Sequence, residues 1–489
     1  MRKYAVALTF LLVASGCGGS SDTATPATTV ATAASQAPIS TAPAETSTAP
    51  TTTAITVATT AAPTTTVVTS TIAPTTTATT PTTTVTPPAT TAAPTSASST
   101  DSLQPSAEPG SFRAEVQSAF QTVVDEEFAI AQQKAGISVA VYTDDVLWTY
   151  ALGEASSMAD MTVNTSIPIG STSKTFVAAL ILTQIHQGLY EVTDSLEQVL
   201  SGHPDYGSFD KSKINPDVTV GQVLSMRSGL PNFNDNSDGI RGLFQSTTWK
   251  PADNVNLVQD AFVEPGGFDY NDTNLVLLGL IAELQGGKSL NDLYKTAFFD
   301  PLKVSAVLPP HDVLPSNTAY PYGNLAPYDE GFGNIIDAAP YDLGHYWRGQ
   351  SKMRWPCCGL ISTPENLARW GYNLYSTKGS ALSGSVRQRL QESLLSEPVM
   401  YQGVVQNYGY MTTQRTYEFS GDRRIATVGH PGGGGGYSTL MRYAPELDLT
   451  VVILANSLLS ESGTCSTDAS HRDIRNCLAA RIFLAYAQQ

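Results

Sequence analysis

Basic residues are scarce in this sequence. Its 489 residues include 27 lysines and arginines against 43 aspartates and glutamates, which gives a formal charge of -16. A protein that binds nucleic acid needs a basic face to neutralise phosphates, so this composition argues against DNA or RNA as a partner. Small molecules or cell-wall polymers are the partners that the composition favours.

Cysteine is also rare, with five in the chain. No pair has the CxxC spacing of a zinc site, so we expect no metal. In an exported protein the four cysteines beyond Cys17 would be oxidised, and three pairings are open. Cys465 with Cys477 would close a short loop before the last helix, which would leave Cys357 and Cys358 as a strained vicinal bridge.

Long apolar runs are absent. The longest run near the start, residues 4–13, is too short to span a bilayer. It follows a short basic start and precedes small residues, which predicts an export signal over residues 1–17. Small residues ending in Cys17 resemble the lipobox of bacterial lipoproteins, although Ala14 stands where a leucine is more usual. We expect lipidation of Cys17, which would anchor the chain to the cell membrane at the outer cell surface or cell wall, with simple secretion as the alternative.

Aromatic and basic residues are missing from residues 18–108, which consist almost wholly of Thr, Ala, Pro and Ser. Such a segment cannot bury a hydrophobic core, so it is expected to be disordered. In an exported chain it would form a stalk, with an inert linker as the simpler alternative. The folded domain is therefore expected over residues 109–489, and its contact with the membrane only through the lipid anchor.

Hydrophobic periodicity predicts a mixed domain. Apolar residues every four positions indicate an amphipathic opening helix: Phe112, Val116, Phe120, Val124 and Phe128. Segments 137–142 and 146–152 read as a hairpin, and residues 171–400 as mainly helical. Further strands are expected at 416–419, 425–428, 438–443 and 451–455, before a last helix with Ile474, Leu478 and Ile482 on one stripe.

Strands and a helix at both chain ends imply one shared sheet. The expected fold is mixed α/β, an antiparallel sheet flanked by the N- and C-terminal helices with an inserted, mainly helical lobe. A cleft is expected where the sheet and the lobe meet.

A serine and a lysine open the apolar helix of this middle region. Ser171 and Lys174 lie three residues apart, which places a hydroxyl and an amine on one helical face. This is the arrangement of a nucleophile beside its base. Lysine acts as a base only where its surroundings favour the neutral amine, so the interpretation requires Lys174 to lie inside a cleft. The alternative is a solvated helix start with Ser171 as a cap.

Two further stretches carry groups that suit such a cleft. Tyr270 precedes a buried helix, and a phenol near a lysine would act as a phenolate or a strong hydrogen-bond partner and share proton transfer. His430 is the second residue of the glycine-rich run of residues 429–436. Backbone N-H groups of glycines can approach a ligand closely, so this run would supply half of an oxyanion hole. A core tyrosine and a flexible loop are the simpler alternatives.

In this order, Ser-x-x-Lys, a Tyr-x-Asn-like motif and His-x-Gly resemble the serine β-lactamase and penicillin-binding-protein superfamily, in particular its class C β-lactamase and DD-carboxypeptidase-like branch. Supporting stretches at residues 223–231, 359–369 and 407–410 are also similar. The resemblance covers about residues 110 to 489.

The resemblance implies an acyl-enzyme mechanism without a metal or organic cofactor. Ser171 would attack a carbonyl while Lys174 and Tyr270 move the proton. His430 would supply a positive field or a hydrogen bond. The N-H groups of Ser171 and Gly433 would form the oxyanion hole.

The departures from the family pattern concern the substrate. Asp272 and Gly432 would line the cleft, but Asp272 stands where the branch has an asparagine whose amide donates to the substrate. An ionised Asp272 would instead pair with Lys174, hold it charged and weaken it as a base. Pro431 and Gly433 replace hydroxyl residues that bind a terminal carboxylate, which puts D-Ala-D-Ala recognition in doubt and leaves ester or other amide hydrolysis open.

Two functions are therefore weighed. The first is a serine hydrolase of the β-lactamase, DD-carboxypeptidase or esterase type acting on a small-molecule or peptidoglycan-derived substrate. The second is a catalytically weak wall-binding or penicillin-sensing lipoprotein that uses the same cleft. Residues 170–175 superficially resemble a P-loop, but Pro168 and Ser173 occupy the glycine positions that it requires. The oligomeric state does not follow from the sequence.

Overall fold

The strands come from both ends of the folded region. A computed structural model describes residues 109–131, 135–308, 314–321, 350–457, 465 and 473–489. Within these ranges the strands are β1 (Gly110–Ser111), β2 (Ile137–Thr143), β3 (Val146–Leu152), β4 (Glu154–Ser156), β5 (Ala159–Asp160), β6 (Ile167–Pro168), β7 (Ala306–Val307), β8 (Ile361–Ser362), β9 (Val399–Tyr401), β10 (Val404–Tyr408), β11 (Thr413–Glu418), β12 (Arg424–Gly434), β13 (Tyr437–Ala444) and β14 (Leu449–Ala455).

Helices fill most of the region between the two groups of strands. Among the described residues they include α1 (Ala114–Ala131), α2 (Lys174–His186), α3 (Leu196–Leu200), α4 (Val220–Leu224), α5 (Ser237–Gln245), α6 (Ala252–Val255), α7 (Thr273–Gly286), α8 (Leu290–Tyr294), α9 (Asp300–Leu302), α10 (Pro364–Tyr375), α11 (Gly384–Glu392) and α12 (Ile474–Ala487). None of these described helices is long and apolar enough to cross a membrane.

The main sheet has nine strands in the order β1-β3-β2-β14-β13-β12-β11-β10-β9. β1 pairs with β3 in parallel, and the other neighbours pair antiparallel. The N-terminal strand β2 therefore lies beside the C-terminal strand β14, as the shared-sheet prediction required. Strands β4 and β5 form a second sheet. Strands β6, β8 and β7, in that order, form a third.

The hairpin of β2 and β3 is confirmed. Its turn residues Asp144 and Asp145 both adopt positive φ, 41° and 66°. Two consecutive left-handed residues match the right-handed twist of the flanking strands, and aspartate tolerates this conformation better than most residues.

Strand β12 is longer than predicted. The sequence pattern ended it at residue 428, because glycine has low strand propensity, yet pairing continues to Gly434 opposite Tyr437 on β13. Backbone pairing with β13 continues over residues 429–434, so most of this run is strand and not a flexible loop.

The hydrophobic core has two layers, one on each face of the sheet. One layer packs α1 and α12 against the sheet, with Phe120, Val124, Leu478 and Phe483 almost fully buried. The other layer packs the helical lobe against the opposite face. The predicted mixed α/β class, with terminal helices on an antiparallel sheet and an inserted helical lobe, is confirmed. The predicted export signal and stalk, residues 1–17 and 18–108, lie outside the described residues.

A disulfide joins Cys465 to Cys477 near the start of α12, as one of the predicted pairings required. We expect the double variant Cys465→Ser, Cys477→Ser to have a free energy of unfolding lower by about 3 kcal/mol. The disulfide closes the short loop between these two residues, which restricts the unfolded chain. Urea denaturation of both proteins, with and without a reductant, measures the difference. An equal response of the wild type and the double variant to the reductant would contradict this role.

Candidate active site

The predicted nucleophile and base lie side by side. Residues Gly170–Ser173 form a 3-10 turn that leads directly into α2 at Lys174. The amine Nζ of Lys174 lies 3.2 Å from Ser171 Oγ. Lys174 is fully buried and Ser171 is 5% exposed. The requirement that Lys174 lie inside the protein is met, and a solvated helix start is wrong.

Glycines bring this turn against β12. Gly170 has a positive φ of 54°, and a Cβ atom there would lie 2.6 Å from the backbone nitrogen of Gly433. A Cβ at Gly432 would lie 2.2 Å from Ile169 O and from Thr439 Oγ1. The serine turn and the strand are therefore in contact through glycine backbone. The predicted cleft residue Gly432 serves this packing, and its carbonyl accepts a hydrogen bond from Arg475 on the opposite face.

Asp272 forms the ion pair that the sequence predicted. Its Oδ1 lies 2.7 Å from Lys174 Nζ, and both side chains are almost completely buried. Its Oδ2 accepts a hydrogen bond of 2.8 Å from Asn234 Nδ2. The pair stabilises the charged amine, which donates hydrogen bonds and does not accept a proton. Lys174 must therefore lose a proton before it can act as a base.

Asn234 is a further residue of the site that no sequence motif indicated. Its Oδ1 is buried without a hydrogen-bond partner among the described residues. It follows the family-like stretch at residues 223–231, but an asparagine in a loop gives no signal in the sequence that it faces a carboxylate 38 positions later.

Tyr270 lies just before α7, over the lysine. Lys174 Nζ is 5.0 Å from the centroid of its ring. The phenol oxygen is buried and makes no hydrogen bond of good geometry with a described residue. Burial raises the pKa of Tyr270 well above its ordinary value, while the Ser171 hydroxyl acts in the opposite direction. The resting side chain is therefore a neutral phenol near the nucleophile, and the phenolate alternative is not supported.

His430 belongs to an aromatic cluster beside Tyr270. Its Nε2 lies 3.1 Å from the Tyr408 hydroxyl, and its Nδ1 lies 2.5 Å from the carbonyl oxygen of Pro431. Nδ1 donates to that carbonyl, so Nε2 accepts from the tyrosine. The imidazole lies 6.1 Å from the ring of Tyr270, and Tyr401 also contacts both rings.

Burial, followed by the positive charge of Lys174, lowers the pKa of His430 to about 3. A neutral imidazole supplies no positive field at neutral pH, so of the two predicted roles the hydrogen bond is the one that the structure supports.

The low pKa of His430 makes stability depend on pH. Between its unfolded value near 6.5 and about 3, the unfolded chain binds a proton that the native chain does not, so stability falls as the pH decreases through this window. From about pH 7 to about pH 5 we expect this residue to remove roughly 2 kcal/mol of unfolding free energy. In His430→Asn this part of the pH-dependent change in unfolding free energy should be absent. Urea denaturation at about pH 7 and about pH 5 measures it. His186→Asn, at an exposed histidine, serves as control; an unchanged pH difference in His430→Asn would refute the assignment.

Two cysteines close the site. The Sγ atom of Cys358 lies 3.5 Å from Ser171 Oγ and 3.3 Å from Lys174 Nζ. Cys357 is a free, buried thiol. The expected vicinal bridge between Cys357 and Cys358 is therefore wrong. No sequence pattern placed these two cysteines beside the nucleophile, apart from the family-like stretch that follows them.

Ligand-type atoms of Asp272, Cys357 and Cys358 lie within 4.8 Å of one another. These groups do not fit a metal site. Both oxygens of Asp272 already accept hydrogen bonds, and burial raises the pKa of the Cys357 thiol well above its ordinary value, whereas a metal binds the thiolate.

The sequence and the fold are similar to those of known proteins. The family model described as Beta-lactamase matches residues 116–475. An unguisins hydrolase from Aspergillus violaceofuscus is 23% identical over 68% of this chain, and the match spans 60% of that protein. Penicillin-binding protein 4 of Amycolatopsis lactamdurans is 22% identical over 67% of this chain and 82% of its own length.

The fold is also that of a solved enzyme. The D-amino acid amidase of Ochrobactrum anthropi SV3 superposes with a TM-score of 0.58 at 19% identity, over 77% of this chain and 99% of that one. The family match covers most of the sequence and includes all the residues of the site described above. This chain is a member of the Beta-lactamase family of serine hydrolases.

Proposed function

We propose that this protein is a serine hydrolase that cleaves an amide or ester bond through an acyl-enzyme, within the class C β-lactamase and DD-carboxypeptidase-like branch. The observation that carries the proposal is the buried contact of 3.2 Å between Ser171 Oγ and Lys174 Nζ. A serine hydroxyl is a weak nucleophile unless a base takes its proton, and a buried amine at this distance is such a base once it is neutral.

Acylation begins with the ion pair. Lys174 passes a proton to Asp272, which it contacts at 2.7 Å, and becomes neutral. Ser171 Oγ attacks the substrate carbonyl carbon and gives its proton to Lys174. Tyr270 then protonates the leaving group as the carbon-to-leaving-group bond breaks, and it recovers a proton from Lys174. The acyl-enzyme that results has a neutral lysine beside it.

Deacylation uses the same groups. A water molecule attacks the acyl carbon and gives a proton to Lys174, which returns it to Ser171 Oγ as the acid leaves. Asp272 then gives its proton back to Lys174. The backbone N-H groups of Ser171 and Gly433 are proposed to stabilise the oxyanion in both steps, because Gly170 brings the serine turn against β12 at Gly433. No metal or organic cofactor takes part in the proposed steps.

The acyl side of the substrate is proposed to carry hydrogen-bond donors. Both Asp272 oxygens are acceptors, and the buried Oδ1 of Asn234 is an acceptor without a partner among the described residues. A substrate with an amino or amide N-H near its carbonyl satisfies that oxygen, whereas the carbonyl of an acylated amine finds no donor there. We therefore favour small amides or esters over penicillins and D-Ala-D-Ala peptides.

The deciding experiment is intact-mass analysis of the purified full chain after incubation with a fluorophosphonate and, separately, with benzylpenicillin. We expect one addition by the phosphonate and a slower one by penicillin. Labelling by the phosphonate alone would favour an esterase or amidase, and labelling by neither reagent would refute the hydrolase proposal.

A second function has one observation in its favour. The ion pair between Lys174 and Asp272 keeps the amine charged in the resting state, which suits a weak enzyme that binds wall fragments or penicillin. Stoichiometric binding of a ligand without turnover or a covalent adduct would support this function over hydrolysis.

Location remains a separate proposal. We propose that the chain is exported and anchored through a lipid on Cys17 at the outer cell surface, with peptidoglycan-derived molecules among its substrates. Transfer of the protein from the membrane fraction to the medium in Cys17→Ala would support the anchor, and an unchanged distribution would contradict it.

A further inference from the structure

Two buried arginines lie behind the active-site strand. On β11, Thr413, Arg415 and Tyr417 are buried, while the residues between them are more exposed. Tyr417 belongs to the core layer of α1 and α12, so this is the sheet face opposite the serine. Thr413 and Arg442 are both register partners of Gly429 on β12. Because Gly429 has no side chain, the guanidinium of Arg442 reaches across β12 and donates to Thr413 Oγ1 at 2.6 Å.

Both arginines have donors without acceptors. Arg415 is 7% exposed and Arg442 is 1% exposed. The Nε atom of each is buried and makes no hydrogen bond with a described residue. Neither guanidinium forms an ion pair with a carboxylate in the described part of the chain. Their charges act on each other, since Arg415 contributes to lowering the pKa of Arg442, after burial as the main cause.

The start of α12 adds positive potential at the same place. Tyr417 donates a hydrogen bond of 2.8 Å to Asn476 in the first turn of this helix of 14 residues. The N-cap residue Asp473 is the nearby carboxylate, and the charge of Arg415 helps to lower its pKa. Its oxygens are already engaged, by Arg475 Nε at 3.2 Å and by the amide groups of Asn476. A helix N-terminus attracts anions, so the local field is positive.

Such a cluster is costly without a counter-ion. A buried charge that is neither paired nor fully hydrogen-bonded loses its hydration without compensation. Here Arg442 donates only to Thr413 among the described residues. The guanidinium of Arg415 lies 5.8 Å from the centroid of the Tyr417 ring, and the nearby carboxylate of Asp473 is already engaged.

We propose that Arg415 and Arg442 bind a small inorganic anion of about the size of chloride behind β12, with their Nε-H groups as donors and the N-terminal end of α12 as added positive potential. The anion ties β11, β13 and α12 together around β12, the strand that carries His430 and Gly433. Its occupancy stabilises the fold and takes no part in the chemistry of the serine.

Bromide tests the site in the full chain, because it resembles chloride and is located by its anomalous scattering. We expect a bromide peak within hydrogen-bond distance of both Nε atoms in crystals grown in sodium bromide. We also expect a melting temperature higher by about 2 to 4 °C in sodium bromide or chloride than in sodium gluconate at equal ionic strength. Absence of the peak, or a peak without a difference in melting temperature, would overturn the proposal.

Variants separate this site from general salt effects. Arg415→Leu should lose both the bromide peak and the halide-dependent rise in melting temperature. Arg424→Leu is the matched control, because it removes an exposed arginine from the neighbouring strand, and it should keep both. Equal halide responses in the two variants would refute the site. If Arg415→Leu does not fold, the wild-type peak and melting temperatures decide the question alone.

Discussion

Replacement of Ser171 by alanine is expected to abolish covalent labelling by a fluorophosphonate and to lower kcat for any amide or ester substrate by at least about 1000-fold. The loss is this large because the hydroxyl forms the covalent bond of the intermediate, and neither Lys174 nor Tyr270 can replace it. The measurement is intact mass after labelling, together with steady-state kinetics on a chromogenic ester.

The matched control is Ser173→Ala in the same 3-10 turn. The Ser173 hydroxyl is buried and accepts a hydrogen bond from the Leu360 backbone N-H at 3.2 Å, so its loss affects packing and not the nucleophile. We expect Ser173→Ala to be less stable by about 1 to 3 kcal/mol and still labelled. Full labelling of Ser171→Ala would mean that another residue is the nucleophile, and it would overturn the mechanism.

The parts of the fold with local periodicity could be predicted from the sequence. The apolar residues from Phe112 to Phe128 predicted α1, and the stripe of Ile474, Leu478 and Ile482 predicted α12. The pattern of both chain ends predicted their shared sheet. These signals are local because each element buries one face, and that face repeats at the period of the helix or strand.

Features that depend on pairing partners could not be predicted in the same way. β12 extends to Gly434 because β13 pairs with it, although glycine alone favours a loop. The free thiol of Cys357 depends on the direction of a side chain in the folded turn, which adjacent cysteines do not specify.

In the active site too, local sequence predicted some features, and others depend on contacts that exist only in the folded chain. The spacing of Ser171 and Lys174 brought them together within one turn of helix, and the order of motifs added Tyr270 and His430. The neutral state of His430 depends on burial and on the nearby charge of Lys174, neither of which has a sequence pattern. Asn234 reaches Asp272 through a loop, so only the folded chain brings them together.

Asp272→Asn is expected to increase the rate of acylation by benzylpenicillin about tenfold. The change removes the carboxylate that holds Lys174 in its charged form, and it restores an amide donor that can bind the acyl-amide carbonyl of a penicillin. One additional hydrogen bond to the bound substrate, at about 1.4 kcal/mol, accounts for a factor of ten. The rate of adduct formation, followed by intact mass at several pH values, is the measurement.

The surroundings of Asp272 allow this substitution. The new amide keeps an oxygen that accepts from Lys174 Nζ, and its nitrogen faces the Asn234 side chain. Rotation of the Asn234 amide by half a turn places its Oδ1, which has no partner among the described residues, opposite this nitrogen, where it accepts one of the two amide hydrogens and leaves the other for the substrate carbonyl. Loss of the buried counter-ion of Lys174 is expected to lower the free energy of unfolding by about 3 to 5 kcal/mol.

Asp269→Asn makes the same chemical change at an exposed residue of the same loop. Its carboxylate accepts a hydrogen bond from Asn271 that an asparagine oxygen can also accept, so acylation should be unchanged. If Asp272→Asn acylates faster and also turns over, the wild-type protein has a complete hydrolase site whose base is restrained by one carboxylate. If it acylates faster without turnover, the cleft is that of a penicillin-binding protein. An unchanged or lower rate in a folded Asp272→Asn would mean that neither the missing donor nor the ion pair limits acylation, and the substrate preference proposed from Asp272 and Asn234 would then be wrong.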